Sequence, residues 1–210
     1  MMDRVTGQPQ HRSRRDRAAR RRDEIIAAAS ALFARHGYRG TGLAEIAAQV
    51  GITQAGLLYH FGSKDGLLRA VIEHRDSNSE TFAMALRGDP STALRRLPDF
   101  ARRNKAHVEL AKLFTVLVAE SLEEHAPSHA HFVERYRALR AITADIIRTG
   151  QGAGYVRADV DPDAKATEII ATLDGLQIQW LLDPDRVDIV TSVESYCATL
   201  ADQLAVRAVT

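Results

Sequence analysis

Apolar residues recur at every third or fourth position along most of this chain, which is the spacing of one face of an α-helix. The clearest stretch lies between residues 41 and 64. There the pattern predicts one short helix over 43–50 and a second over 54–60, with Gly51 between them because glycine readily ends a helix. Thr53 is the expected N-cap of the second helix, since its hydroxyl can accept a backbone N–H.

The polar residues of the second predicted helix are concentrated at its start. Two helices joined by so short a turn are typical of a helix-turn-helix, whose second helix enters the DNA major groove N-terminus first. Gln54 can pair with adenine, and Thr53 can hydrogen-bond a base or contact a thymine methyl. Gly56 lets the backbone approach the duplex. The alternative is an ordinary helix pair within a bundle. Donors for phosphates stand near the far end of the helix, at Tyr59, His60 and Lys64.

Residues from about 20 to 71 resemble the DNA-binding domain of the TetR family of bacterial transcriptional regulators, and the run HFGSKDGLL is close to its most recognisable segment. This resemblance implies an all-α homodimer that binds a palindromic operator, usually as a repressor, and a C-terminal domain that senses a small molecule. The matching landmarks are Ile25, Ala29, Leu32, Phe33, Gly37, Thr41, Ile46, Ala47, Gly51, Leu57, His60, Phe61, Ser63, Lys64, Leu67 and Leu68.

Three positions depart from the family pattern. Gly42 replaces the usual Thr, Ala55-Gly56 replaces a frequent Gly-Thr, and Leu58 stands where most members carry a phosphate-binding Tyr. We therefore expect Tyr59 and His60 to supply the phosphate contacts. Residues and resemblance together predict a DNA-binding set of Arg22, Thr41, Thr53, Gln54, Gly56, Tyr59, His60 and Lys64.

Charge is unevenly divided along the chain. Residues 1–75 hold 13 Lys or Arg and 7 Asp or Glu, whereas residues 76–210 hold 15 and 20. A basic first third on an acidic remainder suits a DNA-reading module attached to a body that does not bind DNA. Residues 1–17 lack apolar periodicity and are expected to form a disordered basic arm. The arm could follow phosphates or enter the minor groove, or it could be a solvated tail.

The remaining pattern predicts consecutive helices and no β-rich segment. The fold is expected to be all-α, with a three-helix helix-turn-helix domain over 18–66 and a larger helical effector-binding and dimerisation domain over 67–206. The expected helices cover about 16–36, 63–87, 90 onward with a kink or division at Pro98, 107–123, 127–151, 162–182 after an Asp161 N-cap, and a last helix to about 206 opened by Asp183-Pro184.

Two apolar stripes on the last two helices predict a four-helix dimer interface around a two-fold axis. The alternative is that both stripes are buried within their own domain. Trp180 is either an anchor of this interface or a core residue. The stripes comprise Ile169, Leu173, Leu176 and Trp180, then Ile189, Val193, Tyr196 or Cys197, Leu200 and Leu204.

An effector would lie among the middle helices, and the acidic body favours a neutral or cationic one. The expected ligand-binding residues are Phe114, Leu117, Tyr136 and Trp180. Further candidates for the apolar wall are Phe82, Met84, Phe100 and Phe132, and polar contacts could come from His107, Glu120, Arg135 and Thr143.

Other functional classes find little support in the sequence. It shows no membrane-length apolar run, no secretory signal, no catalytic motif and no phosphate-binding glycine loop. The single cysteine fits a reducing cytoplasm. The spacing of His125, His129 and His131 is a weak match to a metal site, so we expect no metal. Without a catalytic motif, we also expect no cofactor and no enzyme activity. The predicted function is a cytoplasmic, dimeric, DNA-binding repressor released by a small molecule; the alternative is an effector-independent or architectural DNA-binding protein.

Overall fold

The computed structural model describes residues 14–86 and 90–206, with side chains described for 17–75 and 96–206. Across these residues the chain is all-α, apart from an isolated antiparallel bridge between Val156 and Ala205. No helix in the described part is long and apolar enough to cross a membrane. The helices are α1 (Arg14–Gly40), α2 (Leu43–Gln49), α3 (Gln54–Phe61), α4 (Lys64–Leu86), α5 (Pro90–Ala106), α6 (Val108–Glu120), α7 (His129–Gly152), α8 (Pro162–Leu182) and α9 (Ile189–Leu204).

Helix α1 contains a backbone break at Gly37, where φ is 72° and ψ is 172°. This conformation is essentially restricted to glycine, so the predicted end of the first helix at this residue is confirmed. The predicted disordered arm needs a correction at its C-terminal end, because residues 14–17 already belong to α1. Residues 1–13 of the arm lie outside the described residues.

The two short helices form as the capping residues predict. Gly42 is the N-cap of α2, Val50 is its C-cap, and Gly51 follows with a φ of 67°. Thr53 is the N-cap of α3, and its side chain accepts the Gly56 N–H. The helix-turn-helix geometry therefore follows from local rules, with a glycine ending one helix and a hydroxyl starting the next.

Two predictions about the C-terminal helices change in the structure. Of the kink or division predicted at Pro98, the division is wrong, because helix α5 runs through that residue. Asp183 does not open the last helix but is the C-cap of α8, with its N–H donated to the Gln179 carbonyl. Helix α9 starts after Asp188, whose carboxylate accepts the N–H groups of Val190 and Thr191. Asp188 is thus the true cap, and residues 184–186 form a turn between the helices.

Two clusters of buried residues form the core. The first joins α1–α4 to Leu113, Phe114 and Leu117 of α6 and to Phe132 of α7. It therefore crosses the predicted domain boundary at residue 66, which itself stays a prediction. The second cluster joins α5 to α8 and α9, with single contributions from α6 and α7.

The predicted dimer stripes lie in the second cluster. Ile169, Trp180, Ile189, Val193, Cys197, Leu200 and Leu204 are all buried within the single chain, and Leu173, Leu176 and Tyr196 pack against them. This is the alternative interpretation of the stripes, so they do not supply a free dimer surface. Helical periodicity shows that a face is buried but does not show which chain covers it.

Candidate nucleic-acid interface

The exposed N-terminus of α3 carries the predicted base-reading residues. Both Thr53 and Gln54 are exposed. The Thr53 hydroxyl accepts the Gly56 N–H at 3.1 Å, which leaves its own hydrogen able to donate outward. A methyl group placed on Gly56 would meet that hydroxyl oxygen at 3.4 Å, so the start of the helix is compact. From this position the Gln54 side chain can reach a base edge while its backbone stays helical.

The opposite face of α3 is anchored in the core. Leu57 is fully buried, and Phe61 packs against the first core cluster together with Val50 and Ile52. Leu57 and Phe61 therefore face the core. An anchored helix presents its polar start in one orientation, which is what specific base contacts require.

The predicted phosphate-contacting residues surround the C-terminal end of α3. Tyr59 is 89% exposed, and the His60 ring lies between the rings of Tyr59 and Phe61 at centroid distances of 5.7 and 6.2 Å. The Lys64 ammonium lies 4.4 Å from the centroid of the Tyr38 ring. The Tyr59 hydroxyl, the His60 ring N–H and the Lys64 ammonium are donors that suit the phosphates that run past a docked helix.

Helix α1 reaches this region through two arginines. The Arg22 guanidinium carbon lies 5.2 Å from the Phe61 ring centroid, which places it beside the end of α3. Arg21 donates to the Val50 carbonyl at 3.1 Å and pairs with Glu24 at 2.9 Å. Arg21 thus ties α1 to the turn of the helix-turn-helix. No periodicity or motif in the sequence indicated that contact.

Thr41 requires a correction. Its side chain is only 1% exposed, and its hydroxyl donates to the carbonyl oxygens of Gly37, at 2.8 Å, and Leu32, at 3.3 Å. The hydroxyl therefore satisfies carbonyls at the break in α1 and is not available to DNA. The structure brings the other seven predicted DNA-binding residues to α3, the start of α4 and the adjoining part of α1.

The predicted ligand-binding residues divide between the two core clusters. Phe114 and Leu117 are buried in the first cluster, and Tyr136 packs against it. Trp180 is buried in the second cluster, among residues of α5, α8 and α9. Trp180 is therefore a core residue away from the other three. Two further wall candidates, Phe82 and Met84, lie outside the residues whose side chains are described.

A polar cluster lies beside Phe114, where α4, α6, α7 and α8 meet. Tyr136 donates its hydroxyl to Asp174 at 2.7 Å, and burial raises the pKa of the Asp174 carboxyl. The guanidinium carbons of Arg75 and Arg135 lie 3.9 and 5.2 Å from the Phe114 ring centroid. Sequence reasoning missed Asp174 and Arg75. The signal for Asp174 is a lone acidic residue within an otherwise apolar part of α8.

A second set of polar contacts connects three helices nearby. Gln177 of α8 is buried; it accepts from Asn104 at 2.6 Å and donates to Thr115 at 3.0 Å. The other polar candidates do not join it. Thr143 donates to the Leu139 carbonyl, and Glu120 accepts from backbone N–H groups of Tyr38 and Arg39. His107 is exposed at the start of α6.

Two family models match this chain. Residues 25–71 match the model of bacterial regulatory proteins of the tetR family. Residues 97–205, about half of the chain, match the C-terminal model of BetI-type transcriptional repressors. The first model covers the helix-turn-helix, and the second covers most of α5 to α9.

Individual proteins agree with the family models. The HTH-type transcriptional repressor NicS of Pseudomonas putida is 31% identical over 70% of this chain and 71% of its own length. The regulator TtgR of the same species is 26% identical over 92% and 95%. A transcriptional regulator from Saccharomonospora viridis, crystallised with choline, superposes with a TM-score of 0.77 at 25% identity, covering 90% of this chain and all of that one.

Proposed function

Since the chain belongs to the TetR family of bacterial regulatory proteins, we propose that it is a transcriptional repressor that binds a palindromic operator as a homodimer and leaves it when a small molecule binds. One observation carries the proposal: a helix anchored by Leu57 exposes Thr53 and Gln54 at its N-terminus. We assign the protein no catalytic step and no cofactor, and place its action in the cytoplasm, where bacterial DNA lies.

The proposed base contacts come from Thr53 and Gln54, and Gly56 allows the helix to lie close to the groove. The proposed phosphate contacts come from Arg22, Tyr59, His60 and Lys64, which surround the other end of α3. This arrangement separates the residues that choose a sequence from those that hold the duplex in register.

A homodimer is needed because one short recognition helix reads only a half-site. Two half-sites lie about 34–36 Å apart, or a multiple of this spacing, and two-fold symmetry places one recognition helix at each. The described residues include a suitable face on α8, where the exposed Ala171, Ile178 and Leu182 and the half-buried Gly175 share one side of the helix. Ile178 and Leu182 are 45% and 79% exposed. We propose this face, and not the buried stripes, as the contact between subunits.

We propose that the effector acts beside Phe114, at the polar cluster of Arg75, Arg135, Tyr136 and Asp174. Four helices meet there, and α4 connects the cluster to Lys64 at the DNA-binding end. The choline complex of the structural neighbour supports a small-molecule effector. Choline is the first compound to test. It would have to compete with two guanidinium groups that already lie near the Phe114 ring.

The alternative is an effector-independent or architectural DNA-binding protein. The polar cluster beside Phe114 favours the ligand-responsive function, because binding sites place a few polar side chains among apolar ones. A screen of small molecules for those that raise the melting temperature of the protein separates the two functions. A compound that both stabilises the protein and releases DNA supports the repressor.

The base-reading assignment is tested with a duplex selected by the protein from a random-sequence library. Gln54→Ala should weaken that duplex by about 1–3 kcal/mol while leaving unrelated DNA nearly unaffected, because it removes a base contact. Lys64→Ala should weaken all duplexes alike and lower the slope of log affinity against log salt by about 0.9 per subunit. Fluorescence anisotropy measures both quantities. Equal loss on selected and unrelated DNA in Gln54→Ala would refute the base contact.

A further inference from the structure

A carboxylate from α6 binds the backbone of the DNA-binding region. Glu120, the last residue of α6, accepts the Tyr38 N–H at 2.6 Å and the Arg39 N–H at 3.3 Å. These two N–H groups follow the break in α1 at Gly37. A methyl group on Gly37 would meet a Glu120 oxygen at 2.5 Å, so the glycine also makes room for the carboxylate. Hydrogen bonds to an ionised acceptor are stronger than neutral ones, which makes this contact more than incidental packing.

Tyr38 in turn contacts the first turn of α4. Its hydroxyl donates to Asp65, and its ring lies under the Lys64 ammonium at 4.4 Å. The same ring packs on Phe33 with a centroid distance of 5.7 Å. Burial and the nearby carboxylate of Asp65 raise the pKa of Tyr38, so its hydroxyl stays a donor at neutral pH. The backbone of Tyr38 is thus held by α6 while its side chain holds Lys64 and Asp65.

We propose that Glu120 is a positioning residue for DNA binding, which fixes the phosphate contact of Lys64 through Tyr38. The inference rests on the proposed function, in which Lys64 contacts a phosphate. It adds a direct path from α6 to the DNA-contacting end of α4, separate from the length of α4 itself. Any displacement at the end of α6 moves the Tyr38 backbone and, with it, the ring beneath Lys64.

The position of α6 connects this path to the proposed effector region. The same helix carries Phe114, beside Arg75, and Thr115, which accepts from Gln177. Helix α6 therefore contacts the proposed effector region at its middle and the DNA-binding region at its end. A rigid helix with contacts at both places can transmit a shift of one to the other.

The test compares Glu120→Gln with Glu109→Gln, measured on the duplex that the wild-type protein selects from a random library. Glu109 lies on the same helix, is exposed and makes only a 3.4 Å pair with Lys112, so it is a matched control for loss of one charge. Glutamine keeps the size of Glu120 but turns an N–H₂ group toward one of the two backbone donors. We expect Glu120→Gln to lower affinity roughly tenfold and Glu109→Gln to change it less than twofold.

A salt titration and a double variant separate positioning from a general loss of stability. If Glu120 acts through Lys64, Glu120→Gln lowers the salt slope as Lys64→Ala does, and it adds little in a Lys64→Ala background. An unchanged slope, or full additivity of the two substitutions, overturns the inference while leaving DNA binding by Lys64 intact. A Lys64→Ala slope equal to wild type overturns the phosphate contact itself, and the inference with it.

A second variant keeps the test decisive if Glu120→Gln does not fold, as judged by its helical circular dichroism. Tyr38→Leu removes the ring beneath Lys64 but keeps the backbone N–H that Glu120 accepts. It should lower the salt slope by the same amount as Lys64→Ala. A folded Tyr38→Leu protein with the wild-type slope would overturn the proposal.

Discussion

Replacing Gly37 with alanine should destabilise the protein for two separable reasons. The backbone conformation, with φ of 72° and ψ of 172°, costs a residue with a side chain about 1–3 kcal/mol. The added methyl group would also lie 2.5 Å from Glu120 Oε1 and 3.1 Å from Oε2, so it must displace the carboxylate, whose Oε2 accepts the Tyr38 N–H. Loss of that half-buried, charge-assisted hydrogen bond costs about 1–2 kcal/mol. The total loss expected for Gly37→Ala is about 2–5 kcal/mol.

A double-variant cycle distinguishes the two contributions. Glu120→Ala alone should cost about 1–2 kcal/mol, because it removes the same hydrogen bond. In the Gly37→Ala background it should cost almost nothing, since the bond is already broken and the clash disappears. The two substitutions are therefore expected to couple by about 1–2 kcal/mol.

Urea denaturation, followed by circular dichroism in the helical band at about 222 nm, measures each free energy of unfolding. All four proteins must be compared at one concentration, because the stability of a dimer depends on it. Glu109→Ala, on the exposed part of α6, serves as the control and should not couple to Gly37→Ala. Strictly additive losses for Gly37→Ala and Glu120→Ala would refute the argument that the glycine accommodates the carboxylate.

Two further predictions concern the C-terminal helices. Ile178→Glu should place a charge in the proposed subunit contact, so sedimentation velocity should show monomers in place of the dimer. Operator affinity should fall roughly 100-fold, because the two recognition helices are no longer joined in one molecule. Gln179→Glu, at an exposed neighbouring position, should leave the dimer intact, and a dimeric Ile178→Glu protein would exclude this face. Burial raises the pKa of Cys197 to about 11, so at pH 8 very little thiolate is present. Labelling by a thiol reagent should therefore follow unfolding, and rapid labelling of the native protein would contradict the buried environment.

Local rules were sufficient for the helix-turn-helix. Thr53 caps α3 with its hydroxyl, and Gly51 and Gly37 adopt positive φ angles, so these local effects could be predicted without knowing the rest of the fold. The last helix shows the limit of this reasoning. Both Asp183 and Asp188 are acceptable caps by residue type. The choice of Asp188 accompanies burial of Ile189 in the second cluster and an ion pair between Asp188 and Lys105 of α5.

Contacts between distant segments could not be predicted from periodicity. Glu120 and Tyr38 are 82 positions apart, and nothing in either neighbourhood indicates the other. Trp180 had two reasonable interpretations by residue type, and only its burial in the second cluster decides for the core. Thr41 matched a family landmark, but its burial separates a residue that shapes the interface from those that could touch DNA.

The first core cluster has a consequence for protein engineering. Phe33 of α1 is packed in one cluster with Leu113 and Leu117 of α6, which lie far beyond the helix-turn-helix in the chain. Cutting the chain after residue 66, to graft its DNA specificity onto another regulator, would expose this apolar surface and leave the Tyr38 N–H without Glu120. A working chimera would have to bring α6 along with the N-terminal helices, or redesign the receiving α6 to carry a carboxylate at the position of Glu120.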